Sequence, residues 1–125
     1  MPGDAGADLR AAIDTSIEPG EWQLVPTGVA IALQDGLVGL VHPRSGLAVK
    51  HGVTVLNAPG TIDAGYRGEI KVALINHGRD AFEIKRGDRI AQLLVQEVVH
   101  ARFIQVDTLP ESHRGDSGFG STGKA

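Results

Sequence analysis

Apolar and polar residues alternate along most of this chain with a period of two. Ala7, Leu9, Ala11 and Ile13 alternate with Asp8, Arg10, Ala12 and Asp14, the pattern of a half-buried strand. Glu18-Pro19-Gly20-Glu21 reads as a turn, and the spacing predicts a strand from Trp22 to Leu33 with Val29, Ile31 and Leu33 on one face. Gln34-Asp35-Gly36 predicts a hairpin turn into a short strand, Leu37 to Val41, which stops at His42-Pro43. Only Ser45 to Gly52 suits a helix, with Ser45 as N-cap and Gly52 as stop.

After that segment the chain returns to strands. Val53 to Leu56 leads through Asn57-Ala58-Pro59 into a glycine-rich stretch, Gly60 to Ile70, read as a hairpin. Glu69 to Ile75 leaves it with Ile70, Val72 and Leu74 on one face. Phe82 and Ile84 mark a short strand between the turns His77-Gly78-Arg79-Asp80 and Lys85-Arg86-Gly87-Asp88. Ile90 to Val99 is apolar on both faces, as expected of a strand covered on both sides by a second sheet or a neighbouring subunit. Arg102 to Val106 supplies a last strand. The expectation is an all-β sandwich or jelly roll over residues 1–107, followed by a glycine-rich, flexible tail over residues 108–125.

Composition narrows the function. The 125 residues contain no cysteine, which excludes disulfides and thiolate zinc sites and favours a reducing compartment. No apolar run is long enough for a membrane span, so the expected location is the cytoplasm, with no membrane partner. A formal charge of -3 argues against a general electrostatic grip on nucleic acid, so an anionic ligand must be held by local charges. The five histidines, His42, His51, His77, His100 and His113, lack metal-ligand spacing.

Candidate chemistry concentrates at a few places. Asp63 is a single carboxylate among glycines and apolar residues, followed by Tyr66, a flat face with a hydroxyl edge. Arg44, Ser45 and Gly46 combine a guanidinium, a hydroxyl and backbone amides, the parts of an anion site; the plainer reading is an ordinary N-cap beside an exposed arginine. Gln92 lies in an apolar strand and either satisfies a buried group or faces a site, whereas Asp8 on a polar strand face reads first as a solvated acid. Gly118 to Gly123 spells G-x-G-x-x-G, but that motif requires a strand before it and a helix after it, and this segment predicts neither. Its amides, with Ser121, Thr122 and Arg114, can still wrap a phosphate.

Five segments in order resemble the motifs of trimeric dUTP diphosphatases, the dUTPase family: Ala5-Gly6-Ala7-Asp8-Leu9, Pro43 to Ala48, Gly60 to Gly68, Arg86 to Leu93 and Arg114 to Ser121. In that family a strand usually precedes the first motif, and a larger residue usually stands where Ala7 stands here. The resemblance implies a distorted jelly roll assembled as a homotrimer with active sites shared between three chains, and Mg2+-dependent hydrolysis of dUTP to dUMP and pyrophosphate. It implies that Asp63 deprotonates the water attacking the α-phosphorus, with Gln92 nearby. Asn57 and the backbone at Thr61, Ile62 and Lys71 would read uracil, and Tyr66 would pack under the deoxyribose. Arg44, Ser45 and Gly46 would hold phosphates from a second chain, and Asp8 would meet Mg2+ through water. Phe119 from a third chain would stack on uracil while Arg114, Gly120, Ser121 and Thr122 surround the terminal phosphate. A dCTP deaminase sharing the fold and a non-catalytic trimeric module are the rival readings; the intact Asp63 and Tyr66 stretch speaks against the first, and Asp63 with Gln92 against the second.

Overall fold

In the computed structural model, which describes residues 3–116, nine strands and one short helix follow the order β1 Ala7–Arg10, β2 Thr15–Ile17, β3 Trp22–Pro26, β4 Leu37–His42, α1 Ser45–His51, β5 Val53–Val55, β6 Gly60–Ile62, β7 Lys71–Asn76, β8 Phe82–Ile84 and β9 Arg89–Glu97. They form a four-stranded sheet, β1-β9-β4-β6, a three-stranded sheet, β3-β7-β5, and a two-stranded ribbon, β2-β8. All ladders are antiparallel. One hydrophobic cluster joins the three: Leu9, Val41, Ile62 and Ile90 come from the first sheet, Val25, Val53, Val72 and Leu74 from the second, Ile17 and Ile84 from the ribbon. The alternation along Ile70, Val72 and Leu74 buries each of them, which is the expected half-buried strand and a jelly-roll sandwich around one core.

Several expectations are corrected. The strand read from Trp22 to Leu33 ends at Pro26, because proline removes a ladder donor and Gly28 then takes φ +71°, turning the chain. The first strand stops at Arg10, and the strand read from Glu69 begins at Lys71. Thr15–Ile17 is a strand that alternation did not isolate; it exists because β8 pairs with it. The helix forms where expected and stops at Gly52 (φ +68°), but its N-cap is Arg44 with no side-chain cap, and Ser45 is the first helical residue. Arg102 to Val106 is not a strand. Phe103 is 94% exposed there, so the apolar pattern finds no partner within this chain. In β9, Ile90 and Ala91 are buried, while Val95 is left open by this chain's own elements.

The stretch from Gly60 to Ile70 is also not a hairpin. β6 pairs with β4 in one sheet and β7 with β3 and β5 in the other, so the intervening residues cross from sheet to sheet. That crossing shapes the site.

Candidate active site

Where the two sheets part at this crossing, a cavity of about 370 Å³ opens, within the range typical of small-molecule sites. Leu24, Val41, Val55, Val72 and Ala73, from both sheets, form its walls, and Gly60, Thr61, Ile62, Asp63, Tyr66, Glu69 and Lys71 edge it. Six of the expected site residues, Asn57, Thr61, Ile62, Asp63, Tyr66 and Lys71, therefore meet at one place. The sequence dictates this locally. Ile62 is buried in the core while its neighbours Thr61 and Asp63 face out, as strand alternation requires. Gly60 permits a close approach, since a Cβ there would lie 3.3 Å from the Val41 Cβ and 3.5 Å from the Asn57 amide nitrogen.

Beyond Ile62 the crossing is held by its own hydrogen bonds. The Tyr66 amide donates to the Asp63 carbonyl (3.0 Å), closing a turn that lifts the acid to the rim. The Tyr66 hydroxyl donates to the Glu69 carbonyl (2.7 Å), and Arg67 donates to the carbonyls of Ala64 and Tyr66. The Asp63 carboxylate is exposed and accepts no hydrogen bond among the described residues. It is an acceptor without a partner among the described residues, at the edge of a cavity.

The remaining expected residues lie elsewhere. Asp8 on β1, Gln92 on β9 and His42 on β4 stand side by side across three strands. Arg89 Nη1 is 3.9 Å from Asp8 Oδ2, and Arg44 Nη1 donates to the Arg89 carbonyl at 3.4 Å. Gly6 leaves room for the Gln92 side chain, whose Oε1 would be 2.9 Å from a Cβ there. Arg44 lines a separate cleft of about 570 Å³ with Arg10, Leu47, Phe82 and Arg89. Ser45 and Gly46 are exposed at the start of α1. None of Asp8, Arg44, Ser45, Gly46 or Gln92 lines the cavity of Asp63. Arg114 is exposed in the C-terminal segment, and Phe119, Gly120, Ser121 and Thr122 lie outside the described residues.

Sequence reasoning missed Leu24 and Glu69 in the cavity and the Arg89–Asp8 pair. Glu69 follows Gly68 in the motif and carried a signal; Leu24 sits on a strand distant in sequence and carried none. Among the described residues no group of three or more His, Asp or Glu side chains is arranged to hold a metal.

The sequence profile of the dUTPase family matches residues 1–123. The chain belongs to the dUTPase family. It is 62% identical over 123 residues to the deoxyuridine 5'-triphosphate nucleotidohydrolase of Leifsonia xyli subsp. xyli, spanning 98% of this chain and 81% of the relative. It is 64% identical over 124 residues to the enzyme of that name from Bifidobacterium longum, spanning 98% and 78%. Among solved structures, the dUTPase of Staphylococcus bacteriophage 80alpha with dUpNHpp superposes with a TM-score of 0.88 at 28% identity, covering 99% of this chain and 89% of that one. A mutant dUTPase of phage phi11 of S. aureus, described with a coordinated structural Mg(II) ion, gives a TM-score of 0.81 at 26% identity over 88% of each chain.

Proposed function

We propose that the chain hydrolyses dUTP to dUMP and pyrophosphate. The observation that carries this reading is the single cavity in which an exposed carboxylate, an aromatic face and strand-edge backbone converge, in a chain of the dUTPase family. Asp63 takes a proton from a water molecule as its oxygen attacks the α-phosphorus. The α–β bridging P–O bond breaks, and pyrophosphate leaves with the bond's electron pair. Asn57 and the backbone at Thr61, Ile62 and Lys71 present donors and acceptors to the uracil edge. Tyr66 packs under the deoxyribose, leaving no room for a 2′-hydroxyl.

The phosphate-gripping residues come from other copies. Arg44, Ser45, Gly46 and Gln92 do not share the Asp63 cavity within one chain, which supports a homotrimer whose sites are completed between chains. The exposed Val95, Val99 and Phe103 give it apolar surface to bury. The tail, residues 108–125, closes over a neighbour's site with Phe119 on uracil and Arg114, Gly120, Ser121 and Thr122 at the terminal phosphate, excluding water.

Asp8 fits Mg2+ as a contact through water. Such a contact would leave in place the part of its hydration shell that Mg2+ keeps. When bound, Mg2+ supplies charge neutralisation along the phosphates. No helix among the described residues is long and apolar enough to cross a membrane, and we place the enzyme in the cytoplasm.

The test is pyrophosphate release from dUTP, dCTP, UTP and dTTP with Mg2+. Turnover of dUTP alone is expected, and Asp63→Asn should bind dUTP without hydrolysing it. Intact dUTP with the native chain would sink the proposal, and ammonia release from dCTP would favour the deaminase reading.

A further inference from the structure

Glu69 is held at both ends. Its carboxylate accepts from the backbone N–H of Gly28 (Oε2 at 2.8 Å), and its carbonyl accepts from the Tyr66 hydroxyl (2.7 Å). The same loop grips the next residue as well. Thr27 Oγ1 donates to the Ile70 carbonyl (2.6 Å), and the Ile70 amide donates to the Val29 carbonyl (2.8 Å). Thr27 is buried, so its bond anchors Ile70 to the core, whereas Glu69 is half-exposed at the cavity edge and its latch secures only the end of the crossing. The Tyr66 ring rests across Gly68, with room only because no Cβ is present. Tyr66 is itself 46% exposed, so packing alone does not fix the ring; the hydroxyl bond to Glu69 does.

We infer that Glu69 is a positioning residue for Tyr66: through Gly28 it fixes the carbonyl that aims the ring, and so sets how strongly the site rejects a ribonucleoside triphosphate. This rests on the reading of the cavity as the dUTP site. A carboxylate beside a triphosphate pocket otherwise repels its ligand. Here its charge is turned onto a backbone donor of another loop. The bond needs an acceptor oxygen at that reach rather than a negative charge, so glutamine should serve and alanine should not.

The experiment is steady-state hydrolysis of dUTP and UTP by the full chain with Mg2+, in native, Glu69→Ala and Glu69→Gln forms, with thermal melts alongside. Because Tyr66 touches substrate in ground and transition states alike, Glu69→Ala should raise KM for dUTP with kcat held within about twofold. Losing one hydrogen bond's worth of orientation should lower the ratio of kcat/KM for dUTP over UTP by about 3- to 10-fold. Glu69→Gln should keep the native ratio. An unchanged ratio in Glu69→Ala, whatever its melting temperature, would leave Glu69 merely structural and overturn the inference. An equal fall in both variants would overturn it too, since charge and not the accepted bond would then be at work. Native chain that leaves dUTP intact would overturn the substrate reading itself, an outcome distinct from these.

Discussion

Gly68→Ala tests whether the Tyr66 ring is a positioned surface or only a neighbour of the site. An ideal Cβ at residue 68 would lie 2.6 Å from the Tyr66 hydroxyl oxygen, 2.7 Å from Cζ and 3.0 Å from Cε1. Ordinary contact at roughly 3.5 Å requires the hydroxyl end of the ring to retreat by about 0.9 Å. The bond to the Glu69 carbonyl, 2.7 Å long, cannot survive that retreat with useful geometry. The backbone makes no objection, since Gly68 is not among the glycines at positive φ, and the ring is exposed enough to swing aside. Stability should therefore fall only by the net value of one exposed hydrogen bond, about 0.5–1.5 kcal/mol. Activity should fall further, because misplacing a substrate-positioning group by about 1 Å can cost on the order of 100-fold. The expected outcome in a pyrophosphate-release assay is a loss of about 10- to 100-fold in kcat/KM for dUTP, with a melting temperature only a few degrees lower. Native kcat/KM in Gly68→Ala would refute the reasoning.

Two further outcomes follow from other parts of the chain. Gly52→Ala should destabilise by more than about 2 kcal/mol in thermal or urea unfolding, because a left-handed residue acquires a side chain and its Cβ falls 2.8 Å from the Gly78 nitrogen, a backbone atom unable to swing aside. Cutting the chain after Leu109 should lower dUTP turnover severely while native mass still reports a trimer; loss of the trimer would make the tail structural.

What was legible in the sequence was whatever local periodicity or local chemistry determines. The alternation of Ile70, Val72 and Leu74, the stop at Gly52 and the gathering of Asn57, Asp63 and Tyr66 follow from residues close together along the chain. Pairing was not legible, because ladders join residues far apart. Nothing in Gly60 to Ile70 says that its two flanking strands join different sheets, and the hairpin reading failed there. Asn76 stands in a segment that reads as strand running into turn, yet it is fully buried, donating to the carbonyls of Ile17 and Asp80 and accepting from Gly78. Its need for those partners arises only once β7 brings it beside the end of β2. The cavity itself belongs to this class, since Val41 and Val72 are ordinary core-pattern residues, and Leu24 an outward-facing one, until two sheets part between them.

The crossing also explains how an acid can be exposed and still well placed. A hairpin tip is tethered through one ladder and frays with it. Asp63 instead follows a strand of one sheet, and seven residues later Ile70 is bonded to Val29 and Thr27 on the approach to a strand of the other. Both ends are fixed by independent ladders around a shared core, and the short path between them is tightened by the Tyr66–Asp63 and Tyr66–Glu69 bonds. The carboxylate can thus remain exposed without a side-chain partner among the described residues, because its backbone and not its oxygens carries the restraint. In the proposed hydrolysis this leaves its lone pairs for water, the part that reading assigns to the one carboxylate between Gly60 and Gly68.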